Sequence, residues 1–186
     1  MAKKKQMKSG SLFLLILVVL LLNACSGQAT GQAMEEPQLK VSAEAQELRV
    51  IYYGDLYNET REEINKRLMQ AMEDTSVEEL PYVPLGEDII INAENFQTEE
   101  FSLTDYILKE NGEIRYQEKV AQASEISMND GEAAYPLTSH PAAYLSSNSE
   151  DYKQGEVIRG IVVRADIEGS SFAFAIILRT DVGKFE

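Results

Sequence analysis

The first pattern along the chain is an unbroken apolar run, Leu12 to Leu22, with Lys3, Lys4, Lys5 and Lys8 before it and Asn23-Ala24-Cys25 after it. Beyond it the periodicity changes. Residues 26–47 are rich in Gln, Ala, Gly, Ser and Glu, hold Pro37 and few large apolar side chains, and read as a flexible tether. Leu48-Arg49-Val50-Ile51-Tyr52-Tyr53 is β-branched and aromatic enough for a strand, stopped by Gly54-Asp55. A helix is predicted over about 60–74, because Thr60 and Glu63 form a capping box and Ile64, Leu68, Ala71 and Met72 make a single apolar stripe. Glu62 with Lys66 and Glu63 with Arg67 pair in the favourable order on the outer face. A stripe this short packs on the domain's own sheet; docking a partner helix is the alternative.

From Asp88 onward the pattern is extended runs broken by turn residues. Strands are predicted at Asp88–Ala93, Glu100–Lys109, Ile114–Val120, Ala133–Leu137, Glu156–Asp166 and Ser171–Thr180. Glu110-Asn111-Gly112-Glu113 reads as a hairpin with Asn-Gly at the centre of a type I′ turn, Asn129-Asp130-Gly131 as a second turn, and Glu168-Gly169-Ser170 as the link between the last two strands. Phe172, Phe174, Ile176 and Leu178 share one face and are predicted core. Six or seven short strands at this spacing define a mainly β fold, an antiparallel β-sandwich of immunoglobulin-like type, with one amphipathic helix near its N-terminus.

The leader explains the first pattern. A basic start, an apolar run and small Ala24 before Cys25 form the layout of a secretory signal over residues 1–24. As a helix the run covers about 17 Å against a hydrocarbon core of about 30 Å, too short for a permanent span. Leu22-Asn23-Ala24-Cys25 resembles the lipobox of bacterial lipoproteins, of Gram-positive type, with Asn23 the less usual residue. The resemblance implies that the thiol of Cys25 takes a diacylglyceryl group and becomes the first residue of the mature chain, anchored to the extracytoplasmic face of the cell membrane. The alternative is an ordinary signal whose cleavage leaves a free thiol. The expected organisation is therefore a signal peptide (1–24), a lipidated cysteine with its tether (25–47), and one sandwich domain (48–186).

Charge narrows the partners. The chain carries 17 Lys and Arg against 31 Asp and Glu, a net charge of −14, and loss of the lysine-rich leader makes it more negative. Nucleic acid phosphate and anionic lipid would repel it, so no nucleic acid partner is expected and membrane residence must come from the diacylglyceryl anchor. With one cysteine there is no intramolecular disulfide, and the domain must stand on core burial.

Catalytic patterns are sparse. His140 is the single histidine, no Gly-x-Ser-x-Gly elbow accompanies it, and no Ser-x-x-Lys or phosphate-binding glycine loop follows the leader. No cofactor and no metal site are expected: one histidine and an acylated cysteine do not make a zinc site, and although Asn148/Glu150/Asp151/Glu156 or Asn129/Asp130/Glu132 could bring several oxygens together for calcium, neither matches the twelve-residue loop and both read as solvated turns. A pair of carboxylates for hydrolysis stays open, because pairing in space is not visible in sequence. Asn58-Glu59-Thr60 fits a glycosylation acceptor but reads as a helix start.

The candidate binding feature is the loop holding Tyr135, His140, Tyr144 and Tyr152, with Pro136, Pro141 and a Ser-Ser-Asn-Ser run. The competing reading has one or two of these tyrosines plugging the end of the sandwich. Tyr152 to Val163, with Arg159-Gly160-Ile161-Val162 at its centre, followed by Phe172 to Leu178, resembles the terminal hairpin of immunoglobulin-like domains in Gram-positive lipoproteins of unknown function. That likeness covers about the last hundred residues and implies binding or spacing rather than reaction. The expected function is a non-enzymatic, lipid-anchored binding or accessory protein whose partner is an envelope protein or a cell-wall glycan. The alternatives are a carboxylate-dependent envelope hydrolase and, because Leu17 to Ala24 resembles the peptides that some lipoprotein signals release, the precursor of a peptide pheromone.

Overall fold

The structure is a computed structural model that describes residues 35–55 and 60–183. The leader, the lipobox with Cys25, the first part of the tether and Asn58 lie outside the described residues.

Among the described residues nine strands form two sheets: β1 (Leu39–Ala43), β2 (Gln46–Leu48), β3 (Val50–Asp55), β4 (Asp88–Ala93), β5 (Glu100–Leu108), β6 (Gln122–Ser127), β7 (Glu132–Pro136), β8 (Val157–Ile167) and β9 (Ser170–Thr180). The first sheet runs β2-β1-β4-β7, the second β3-β9-β8-β5-β6, and the strand pairs within each are antiparallel. The protein is the β-sandwich with one helix that the strand spacing predicts.

Period two decides what fills the core. Phe172, Phe174, Ile176 and Leu178 of β9 join Ile161 and Val163 of β8, Phe101 and Leu103 of β5, and Ile89 and Ile91 of β4 between the sheets. The alternate residues of the same strands, Ala173, Ala175 and Ile177 on β9 and Ile158 and Val162 on β8, meet Ile64, Leu68 and Met72 of helix α1 (Arg61–Met72). The central hairpin is thus buried on both faces, with alanines where the helix comes close. Thr60 accepts from the Glu63 N–H while Glu63 takes the Thr60 N–H at 2.7 Å, so both halves of the capping box form. Gly160 belongs to this layer: a Cβ there would lie 2.9 Å from the Leu108 side chain.

Four expectations need correction. The tether of residues 25–47 does not extend to 47, since Leu39, Val41 and Ala43 point inward and pair with β4 from Leu39↔Ala93 to Ala43↔Ile89. Polar composition averaged over twenty residues conceals five residues of strict alternation. The strand expected over 48–53 is split, because the chain leaves the first sheet after Leu48 and enters the second at Val50. The strand expected at Ile114–Val120 is absent. Ile114 only bridges Leu108, its N–H goes to Asn65 Oδ1 of α1 at 2.6 Å, and the Tyr116 carbonyl goes to the Arg61 side chain. Arg115 N–H still reaches the Ile107 carbonyl of β5 at 2.9 Å, but α1 takes the Ile114 N–H and the Tyr116 carbonyl, and the strand pairing β5 at this edge is β6, formed eight residues later.

The hairpin at Glu110–Glu113 also turns differently. Only Gly112 has positive φ (81°), its N–H closes on the Lys109 carbonyl at 2.9 Å, and Lys109 N–H reaches the Glu113 carbonyl at 2.8 Å. That is the three-residue loop with a glycine bulge rather than type I′. Gly112 is required twice over, since a Cβ would sit 2.6 Å from the Leu68 carbonyl of α1. The type I′ pattern is found at Glu168-Gly169, both with positive φ, between β8 and β9.

Candidate binding site at the tyrosine-rich end

At one end of the sandwich the inner face of the second sheet changes from apolar to charged. Asp105 on β5 and Arg159 on β8 are diagonal neighbours on that face, both 0% exposed. Arg159 Nε donates to Asp105 Oδ1 at 2.8 Å, its Nη2 donates to Oδ2, and Nη1 reaches the Thr138 carbonyl at 3.0 Å. Tyr135 crosses from β7 of the opposite sheet and donates its hydroxyl to Asp105 Oδ2 at 2.8 Å. Burial opposes the charge on Arg159, but the Asp105 carboxylate holds the guanidinium above its ordinary value. Burial first and the same carboxylate second push the Tyr135 phenol well up. A buried pair of this kind adds little net stability over apolar packing, yet removal of one partner strands the other.

His140 completes the inner cluster. It is 1% exposed and caps the short 3₁₀ turn Pro141–Leu145, its Nδ1 accepting the Ala142 N–H at 3.0 Å. Because that amide can only donate, Nδ1 is bare and Nε2 carries the proton, which it gives to the Asp105 carbonyl at 3.1 Å. Burial keeps the imidazole pKa below its ordinary 6.5. Tyr135 and His140, expected as binding residues, are therefore interior ties that fasten the loop after β7 to β5 and β8. The plug reading describes them.

Tyr144 and Tyr152 have the other fate. The turn that His140 caps buries Ala142 and Ala143 against Ile107, Val157 and Val182, and then presents Leu145, 59% exposed. Tyr152, 40% exposed, donates its hydroxyl to the carbonyls of Tyr144 (3.0 Å) and Ser146 (2.6 Å), the residues on either side of Leu145. Ser146 Oγ donates to Asp151, which also pairs with Arg115 at 2.5 Å. Partial burial opposes the charge of Asp151, but these two hydrogen bonds hold its carboxyl below the ordinary 3.8. Leu145 and Tyr152 are the large apolar side chains exposed among the described residues, and one hydrogen-bonded loop holds both.

Beside them opens a cleft of about 970 Å³ whose lining includes Leu85, Thr138, Ser139, Tyr144, Tyr152 and Val182. Its carboxylate, Asp181, accepts from Tyr82 OH at 2.8 Å and the Gly155 N–H at 2.9 Å. Flat rings, hydroxyls and aliphatic surface suit recognition of a sugar face or a protein edge. A second groove of about 500 Å³ brings Glu99, Glu100 and Asp166 beside Arg164, whose Nη1 is bonded to Thr104 Oγ1 at 2.9 Å. Asp130 and Gly131 form a tight positive-φ turn, and Asp151 is bonded to Ser146 and Arg115.

The buried Asp105–Arg159 pair is not among the candidate site residues read from the sequence. Each is a lone charge inside an apolar strand, Leu103–Leu108 and Val157–Val163, and two such outliers of opposite sign are the available signal. The site defines a β-sandwich with a tyrosine-walled end cleft. Against protein-family models, curated proteins and solved structures, the chain matches none.

Proposed function

We propose that this protein is a lipid-anchored, extracytoplasmic binding or accessory lipoprotein of the cell envelope, held by a diacylglyceryl group on Cys25 and acting without catalysis on an envelope protein or a cell-wall glycan. One observation carries the binding half: among the described residues the exposed large apolar side chains, Leu145 and Tyr152, are held by one hydrogen-bonded loop, and Tyr152 lines the cleft of about 970 Å³. Solvent-facing apolar side chains held rigid by hydrogen bonds are what a binding anchor needs, since little ordering remains to oppose association. The likeness of the terminal hairpin to immunoglobulin-like domains of lipoproteins points the same way. The lipobox pattern carries the anchoring half.

A photoreactive residue at Tyr144 in the intact protein tests the first half. A recurrent envelope adduct that disappears with Leu145→Asp supports it; a reactive site that yields neither protein nor glycan adduct defeats it. Cys25→Ser tests the second half, with the expected outcome that the protein leaves the membrane fraction. The hydrolase alternative draws on Glu99, Glu100 and Asp166 in the second groove. It requires glycan-cleaving activity that Glu100→Gln or Asp166→Asn abolishes.

A further inference from the structure

The one histidine of the chain stands where a second proton would be disruptive. His140 caps the turn that carries Tyr144 into the cleft and leaves Leu145 exposed, and its two ring nitrogens have opposite duties: Nδ1 accepts from Ala142 N–H, Nε2 donates to the Asp105 carbonyl. A proton on Nδ1 would face the Ala142 N–H donor to donor and remove the cap. It would also place a cation beside the Arg159 guanidinium. The groups around the ring are Asp105 from β5, itself bonded by Tyr135 of β7, Arg159 from β8, and Tyr106 and Tyr116, which share a small cavity with it. Asp105 is the anion among them, and both its oxygens already take Arg159, with Tyr135 on one.

We propose that His140 is a pH-sensitive latch on the wall of the binding cleft: neutral, it holds Pro141–Leu145 against β5 and β8; protonated, it releases the turn and with it Tyr144 and Leu145. The sign follows from burial. The buried ring binds a proton less readily than the released one, so the latched state is favoured fully above the ordinary value of 6.5 and loses ground as pH falls below it. The consequence for a ligand, weaker retention in acid, rests on the cleft being the binding surface; the latch itself does not.

Residue-resolved amide exchange by NMR on the full chain in detergent micelles tests it, from about pH 7 to about pH 5. Expressed as protection factors, Ala142 and Ala143 are expected to lose about tenfold or more while β8 and β9 keep theirs. The midpoint should coincide with the titration of the single imidazole C2 proton. Protection at Ala142 that stays level through that titration overturns the proposal, as does loss that occurs only together with β8 and β9. In His140→Asn the amide oxygen replaces Nδ1 as cap acceptor and cannot titrate, so the acid step should vanish; its persistence would assign the step to another group and also overturn the proposal. The wild-type titration needs no variant to fold. Cross-linking that fails at Tyr144 would sink the binding reading and leave these signals in place, whereas a level Ala142 sinks the latch and leaves the cross-linking untouched.

Discussion

Tyr135 and Tyr152 are the same residue at the two ends of one loop-containing segment, and the fold uses them in opposite ways. Tyr135 is 7% exposed and gives its hydroxyl to a buried carboxylate; Tyr152 is 40% exposed and gives its hydroxyl to two backbone carbonyls. The inner half of the segment is organised around charges that cannot reach water, the outer half around a loop that water surrounds. Residue type alone does not separate a plug from a binding surface. What separates them is whether the polar tip meets a partner that is itself buried.

The hardest test of that contrast is Arg159→Met, which leaves Asp105 buried without its guanidinium. Urea unfolding should show a loss of about 3–5 kcal/mol, and adding Asp105→Leu should recover much of it. A loss under about 1 kcal/mol would mean that the cluster is wet and the two halves of the segment are alike. Tyr135→Phe should cost about 1.5–3 kcal/mol, as loss of a buried hydrogen bond to a charged group, whereas Tyr152→Phe should stay within about 0.5 kcal/mol. Equal effects in a denaturant titration would erase the comparison.

Thr180 sharpens it from the opposite direction. Its hydroxyl is fully buried and has no partner among the described residues, so Thr180→Val should raise stability by about 1 kcal/mol. A loss instead would show that a hydrogen-bonding group completes the inner end there. The smallest effect belongs to the outer loop. Asp151 has a lowered pKa, so its contribution is complete above 3.8 and is lost as pH falls below that value through the lowered one. Loop protection should fall in that acidic window, well below the range where His140 acts, and Asp151→Asn should abolish the step.

Much of the architecture was legible in the residues. The capping box and stripe of α1, the inward face of β9 and the Glu168-Gly169 turn are local patterns, set by hydrogen bonds and periodicities spanning a few residues. Of the candidate residues, Tyr144 is half-buried and Tyr152 exposed, both lining the cleft, whereas Tyr135 and His140 are buried. Both are tied to Asp105 of β5, 30 and 35 positions away in the chain.

Local chemistry thus settled that the chain would make an antiparallel β-sandwich with one helix. A cap and a turn act through neighbours a few residues away, so such elements are readable without the fold. Tertiary packing decided the rest. Leu39–Ala43 became a strand because β4 offered it a ladder and the core a face, and Ile114–Val120 failed to become one because α1 captured its backbone groups. Tyr135 went inside because a buried ion pair needed one more donor. The physical reason is common to all three: an unpaired polar group or an exposed apolar one is satisfied by whatever the fold brings within about 3 Å, and sequence proximity does not say what that will be.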